Sequence, residues 1–384
     1  MKQESKKPWI SKHEEYTDKY FLRSRNILEQ EGVNPLVRYQ IFARAKGITK
    51  GLGEAVEFIR KNAQEKVKIY SLKDGIEYES GEPLIKIEGR VQDLVELETV
   101  YLGLISAGLT GKINLEQVRE NARAIVQAAQ DKPLLYFGAR HFHPSLDEQI
   151  ARICYEEGFS GCSTDIGAKA WNSKGIGTIP HALILSFAAD MKEFPEKYET
   201  NNPTVETAKA FDKYISQEVP RIVLIDTLNR EIDDSIAVAK TLKSKLAGVR
   251  IDTCGENYAQ GYTEIEVPKC IETKKVYGKG VKIAPVWALR KALNREGYEN
   301  VKLTVSSGFN AEKTADFVKA DAIYKEYSGI NLFDSIGTGS LVPGVIMATS
   351  DIVAYFSEKN RIWVPHSKKG RDEREAKFKG ESEK

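Results

Sequence analysis

The sequence predicts an α/β protein, an α/β barrel preceded by an antiparallel α+β unit, and three observations carry that reading. Up to residue 112, short alternating runs break at turn residues such as Asp74-Gly75 and Gly81, the mark of antiparallel hairpins. From residue 113 to 345, short apolar runs alternate with capped amphipathic stretches, which means βαβ units and a parallel sheet. Several of those apolar runs end in polar residues, as strands do at the catalytic mouth of a barrel.

The N-terminal unit, 1–112, opens with LVRYQIFA at 36–43, a strand by its β-branched and aromatic residues in partial alternation. GLGEAVEFIRKN reads as a helix, and residues 66–90 as hairpins. DLVELETVYLGLISAGL, 93–109, reads as one long apolar helix with Asp93 as N-cap and Glu96 at its third position. In the second unit, 113–345, Asn114 caps a helix whose stripe is Val118, Ala122, Ile125, Val126 and Ala129. Pro133 ends it, and PLLYFGAR follows as a buried strand; a helix from Ser145 then leads to GFSGCST. RIVLIDT (221–227) precedes a helix from Asn229, with acids in its first turn, lysines in its last and Gly248 closing it. GVRIDT (248–253), VKLTVSSG (301–308) and INLFDSIGTG (330–339) complete six strand candidates, a number that suits a closed barrel better than an open sheet. The tail, SKKGRDEREAKFKGESEK, is almost wholly charged and reads as a solvated helix or frayed end.

Composition narrows the function classes. The chain has 384 residues, 41% hydrophobic and 29% charged, ordinary for a globular protein of two or three domains or of a barrel plus an appendage. A net charge of +2 makes no case for a nucleic-acid or membrane surface. No apolar run approaches the ~20 residues of a membrane span, and MKQESKKPWI lacks the apolar core of a signal peptide. Cys154, Cys162, Cys254 and Cys270 include no C-x-x-C pair, so neither a zinc knuckle nor a disulfide framework is indicated, and a reduced, cytoplasmic protein is expected.

The chemistry gathers at the strand ends. Ser306-Ser307-Gly308 leads into a helix capped by Asn310, and IGTGS, with Gly337, Thr338 and Gly339, repeats the idea after the next strand. Backbone amides at such turns face an anion, so both read as phosphate loops. Asp226 ends LIDT and Asp252 ends RIDT; acids on neighbouring strands suit a ribose diol, Mg²⁺ or a developing cation, with helix capping the plainer role, above all for Asp226. Arg140, His141, Arg250 and Lys169 form a cationic set that suits a polyphosphate, although Lys169 alone reads as a surface lysine. His181, in a tight loop before a helical run, is a structural histidine by default and a nucleophile or proton donor if it shares that mouth. In FGARHFHPSLDEQ, His141 and His143 lie two apart, but no spacing fixes a third metal ligand.

FGAR, STD, GTIPH, LIDT, RIDT, SSGFN and IGTGS, with TDKYF near the start and the ESGEPLIKIEG hairpin, occur in an order that closely resembles the nicotinate phosphoribosyltransferases, within the type II phosphoribosyltransferases. The archaeal members look nearest, and the likeness covers roughly residues 17–345. The resemblance implies an irregular α/β barrel catalytic domain beside an N-terminal open-faced sandwich that the end of the chain, 346–384, completes. It implies transfer of phosphoribosyl from phosphoribosyl pyrophosphate, with Mg²⁺, to nicotinate, giving nicotinate mononucleotide and pyrophosphate for NAD biosynthesis. Many members couple this to ATP through a phosphorylated histidine, here matched by His181. Phe137 resembles the ring that stacks on the pyridine, and Tyr20, with Asp18 nearby, the ring supplied by a partner subunit in a homodimer or dimer-based oligomer with shared sites. Arg140, with His141, would meet the substrate anion. Arg250 and Asp252 would face the ribose and base, and Asp226 the ribose or magnesium. Ser307, Gly308, Gly337, Thr338 and Gly339 would hold the 5′-phosphate.

Asp165 in STD departs from this picture, since the related nicotinamide enzymes also place an acid there. A carboxylate beside nicotinate's own would repel it unless bridged by a cation or turned away, which keeps nicotinamide as an alternative substrate. Quinolinate needs a denser basic cluster. Another phosphate-binding barrel enzyme, an aldolase or isomerase, is the alternative of a different class, but no Schiff-base lysine stands in PLLYFGAR, RIVLIDT or GVRIDT.

Overall fold

The computed structural model describes residues 7–63, 67–263 and 271–378; Cys270 and the end of the charged tail lie outside the described residues. Two sheets organise the chain. The first is antiparallel, in the order Ile362–Pro365, Ala348–Ser357, Leu36–Ala43, Pro83–Arg90, Lys68–Ser71. Its centre is Leu36–Ala43, buried along almost its whole length and paired on both sides, with Ala348–Ser357 and with Pro83–Arg90. A strand from the end of the chain thus enters the N-terminal sheet.

The second sheet is parallel, in the order Gly161–Cys162, Leu134–Tyr136, Ser335–Thr338, Lys302–Val305, Leu246–Ile251, Arg221–Leu224. All six expected strands are present, each buried over most of its length, as parallel strands covered on both faces must be. The sheet curves as part of a barrel, but no pairing joins Gly161–Cys162 to Arg221–Leu224, so the expected closed ring is an open half-barrel. Helix Leu115–Ala129 leads into its first strand, His181–Glu193, Glu231–Leu242 and Ala311–Ser328 come after later strands, and all four bury apolar residues.

Three local expectations are corrected. The stretch 93–109 is not one helix: Val91–Leu94 passes through a 3₁₀ turn, Val95–Leu97, into Glu98–Thr110. Asp93 lies inside the first piece rather than capping it, and Glu96 is drawn away to Arg25 and His13. The helix beginning at Glu231 ends at Leu242, and Gly248 sits within strand Leu246–Ile251. A side chain at Gly248 would come 2.7 Å from the Lys302 carbonyl oxygen, so this glycine permits close approach of strands rather than a helix stop. The helix after FGARHFHP is entered through Pro144–Leu146, where the His143 ring, not Ser145, caps the turn by accepting from the Ser145 N–H at 3.3 Å.

The charged tail is neither a helix nor a frayed end in its first part. Lys368 and Arg371 are buried, Lys369 donates its N–H to the Thr227 carbonyl at 3.1 Å, and Arg371 pairs with Asp351 at 2.9 Å. Charge pattern alone reads as solvated; here each buried cation meets a carboxylate and the segment straps across the barrel mouth. Among the described residues no single helix is long and apolar enough to cross a membrane.

Candidate active site

Strand register assembles the site. In the parallel pairing Val223 faces Val249 and Leu224 faces Arg250. Two residues further on, Asp226 and Asp252 therefore stand side by side, and the Asp252 N–H donates to Asp226 Oδ1 at 3.2 Å. Arg250 in turn faces Thr304 on the next strand, so its guanidinium reaches Ser306 Oγ at 3.2 Å and Asp252 Oδ2 at 3.4 Å, with Nε donating to Thr178 Oγ1 at 3.1 Å. Ser306 completes the group by donating to Asp252 Oδ1 at 2.7 Å. Burial works against charge on Asp252, but Arg250, His181 and Lys368 outweigh it and hold the carboxyl well below the usual range.

His181 is the first residue of its helix and faces the same two acids, 3.6 Å from Asp226 Oδ2 and 3.8 Å from Asp252 Oδ2. Lys368 Nζ lies 2.7 Å from its Nε2. An ammonium only donates, so Nε2 accepts and the ring proton sits on Nδ1, 2.9 Å from Thr227 Oγ1. Burial, then Lys368, lowers the imidazole pKa against the pull of both acids, so the ring is neutral at neutral pH.

The phosphate loops sit on the adjoining strand ends. Ser307 and Gly308 have left-handed backbones, φ +78° and +67°, and Asn310 caps the following helix by accepting from the Lys313 N–H. Lys313 donates to the Ser307 carbonyl at 2.7 Å and lies over the Phe309 ring; burial and Lys282 push its pKa down to about 7. Beyond, Thr338 faces Tyr136 and its carbonyl accepts from the Phe137 N–H at 2.8 Å, which lays the Phe137 ring against Gly337. His141 donates from Nδ1 to the Gly339 carbonyl at 2.9 Å, and burial pushes its pKa down to about 4.

One cavity touches Tyr20, Phe137, Arg140, His141, His181, Arg250, Asp252, Ser307, Gly308, Gly337, Thr338 and Gly339. Four of the expected residues stand back from it; Lys169, as its surface reading implied, is exposed and pairs with Glu15 at 3.6 Å. Asp226 lies beneath Lys368. Asp18 is buried, accepts from Thr99 and pairs with Arg140 Nε at 3.2 Å. Asp165 does not line the cavity: it starts the short helix Asp165–Ala168, bound by the Lys19 ammonium and the Gly175 N–H. Tyr20, expected from a second subunit, lines this chain's own cavity, with the Arg140 guanidinium 5.8 Å from its ring.

Metal ligation by Asp226 and Asp252 finds little room. Both oxygens of Asp226 are engaged, by the Asp252 N–H and by Lys368 at 2.6 Å. Among the described residues no group of three or more His, Cys, Asp or Glu side chains is arranged to hold an ion.

Lys368, Arg371, Thr178 and Glu98 were not foreseen. Glu98 gave a faint signal, an acid in an otherwise apolar helix. Its carboxylate lies 3.2 Å from Arg140 Nη1, yet burial, with Asp351 and Asp18 nearby, pushes its pKa up to about 8 against Arg140, whose guanidinium Asp18 already matches. The folded state therefore binds this proton more tightly than the unfolded chain. The stabilising contribution is fully present below about 4.5 and is lost as pH rises through about 8. Glu98→Gln is accordingly expected to flatten the fall in urea midpoint between about pH 5 and pH 9; an unaltered slope would assign the fall to other groups.

Residues 18–107 match the family described as "Quinolinate phosphoribosyl transferase, N-terminal domain". The chain is 27% identical over 247 residues to nicotinate phosphoribosyltransferase 1 of Arabidopsis thaliana, covering 63% of this chain and 40% of that protein. It is 24% identical over 188 residues to the nicotinate phosphoribosyltransferase of Bacillus subtilis, covering 48% and 34%. The chain thus spans less than half the length of these curated relatives. Its fold is that of the nicotinate phosphoribosyltransferase structure from Porphyromonas gingivalis, with a TM-score of 0.60 at 14% identity and 92% of each chain covered. With the seven ordered motifs placed on one parallel half-barrel, the chain is similar in motif order, sequence and fold to the nicotinate phosphoribosyltransferases.

Proposed function

We propose that the chain joins nicotinate to phosphoribosyl pyrophosphate, giving nicotinate mononucleotide and pyrophosphate in NAD biosynthesis. The observation that carries this is the single cavity in which two glycine loops, an aromatic wall and the Arg250–Asp252–His181 cluster meet at consecutive strand ends. The loops would seat the 5′-phosphate on backbone amides. Phe137 and Tyr20 would hold the pyridine, and Arg140 would face its carboxylate. Because Glu98 is largely protonated at neutral pH, Arg140 has one ionised carboxylate at hand, Asp18, rather than two, so a substrate anion meets less opposing charge there. Asp165, tied to Lys19 away from the cavity, withdraws the acid that an amide substrate would use, which supports nicotinate over nicotinamide.

The pyridine nitrogen is already unprotonated at neutral pH and needs no strong general base. Displacement at the anomeric carbon passes through an oxocarbenium-like state, so the chain's work is positioning and charge. Asp252, held ionised, would stabilise the ring cation, Arg250 and His181 would face the departing pyrophosphate, and Lys368 would hold Asp226 and His181 in place. Mg²⁺, if carried on phosphoribosyl pyrophosphate, would supply charge to the leaving group through the substrate's own oxygens. ATP coupling through His181, a cytoplasmic setting and a homodimer or dimer-based oligomer belong to the same proposal; the Tyr20 wall does not depend on a second subunit.

Purified chain with phosphoribosyl pyrophosphate, Mg²⁺ and nicotinate is expected to release pyrophosphate and form nicotinate mononucleotide, with nicotinamide and quinolinate poorer by at least an order of magnitude. No release with any of the three overturns the reading. His181→Ala is expected to keep basal transfer and lose stimulation by ATP; a wild type indifferent to ATP removes the phosphohistidine.

A further inference from the structure

We propose that Lys368 is the resident cation of the Asp226–Asp252 pair, filling the place between acids and histidine that a protein-bound divalent metal would need. Its ammonium meets Asp226 Oδ2 at 2.6 Å, His181 Nε2 at 2.7 Å and the Asp252 carbonyl at 3.2 Å. Three donors and three acceptors match, so the ammonium is saturated. Asp226 is fully buried, its other oxygen is taken by the Asp252 N–H, and no lone pair is left facing open space. A magnesium ion at about 2.0–2.1 Å from the same oxygen and the ammonium exclude each other.

The charge count agrees. Two carboxylates, Asp226 and Asp252, are balanced by two cations, Lys368 and Arg250. Adding a divalent ion would leave the buried cluster strongly positive, whereas removing Lys368 would leave it one charge short and shaped for a cation. Nor is the lysine a casual visitor. His366 bonds the Leu185 carbonyl at 2.8 Å just before it, and the Lys369 and Arg371 contacts hold the strap just after it. A metal carried in on a polyphosphate would then be held by the substrate's oxygens, not by Asp226.

The test uses the full chain without substrate, so its outcome is independent of the transferase reading. Mn²⁺ is titrated and free ion followed by electron paramagnetic resonance. Wild type and Asp226→Asn are expected to give the same titration. Lys368→Met is expected to gain a site at least tenfold tighter than anything in wild type, lost again in the Lys368→Met, Asp226→Asn double variant. Lys368→Arg, which keeps the positive charge, is expected to gain none. Mn²⁺ binding to wild type that Asp226→Asn weakens overturns the proposal, as does a folded Lys368→Met that gains no site. Should Lys368→Met fail to fold, the wild-type and Asp226→Asn titrations decide alone.

Discussion

Arg250→Met is expected to lower kcat/KM for phosphoribosyl transfer by about 10²–10³-fold, the scale of losing a preorganised charge aimed at the reacting centre. The guanidinium is buried and contacts Asp252, Ser306 and Thr178. Methionine fills the volume but leaves Asp252 without its main counter-charge, so the carboxyl drifts back towards the ordinary range and loses part of its power to stabilise a cation. Arg250→Lys restores charge without the fork and is expected to recover only part of the activity. Steady-state kinetics with urea unfolding in parallel separate loss of chemistry from loss of fold. A folded Arg250→Met enzyme within threefold of wild type would remove Arg250 from the reaction.

Gly337→Ala comes second. A Cβ there would lie 2.2 and 2.4 Å from two ring carbons of Phe137, closer than real atoms approach. The ring cannot simply shift along the strand, because the Phe137 N–H is bonded to the Thr338 carbonyl. It must swing into the cavity where the pyridine would lie. The expected cost is about 1–3 kcal/mol of stability, as for other overpacked sites, with KM for nicotinate raised at least tenfold. Gly308→Ala is the contrast: nothing lies within 4 Å of its Cβ, and only the φ of +67° opposes it, a strain of about 1–2 kcal/mol that should spare the base KM. Equal effects on KM from both substitutions would refute the Phe137 wall.

These two substitutions fall where local sequence was informative. Arg250 and Gly337 stand at or just before the ends of short apolar runs, and a parallel sheet necessarily brings such ends to one edge. That regularity made Asp226, Asp252, Ser307 and Thr338 conspicuous as one set, because each depends only on strand identity and on register between neighbours. The helices were legible for a similar reason: an Asn at the first position with an apolar stripe behind it, as at Asn114 and Asn310, acts within a few residues. Where a neighbour distant in sequence intervened, local rules failed. Glu96 did not serve a helix cap because Arg25 and His13 claim it. Gly248 did not stop a helix because strand Lys302–Val305 presses against it.

By itself, then, the sequence determined the alternation of strands and helices, the polar strand ends and the order of the glycine loops, all consequences of short-range periodicity and backbone preference. Only the tertiary structure decided how charge is paid out inside the site. Lys368 reaches His181 and Asp226 across 187 and 142 residues, and Lys19 withdraws Asp165 across 146. Glu98 holds its proton because it is buried. A charged side chain reads the same in sequence whether water or a buried carboxylate will be its partner, and the cost of leaving it unpaired in the interior appears only when the fold has chosen that partner.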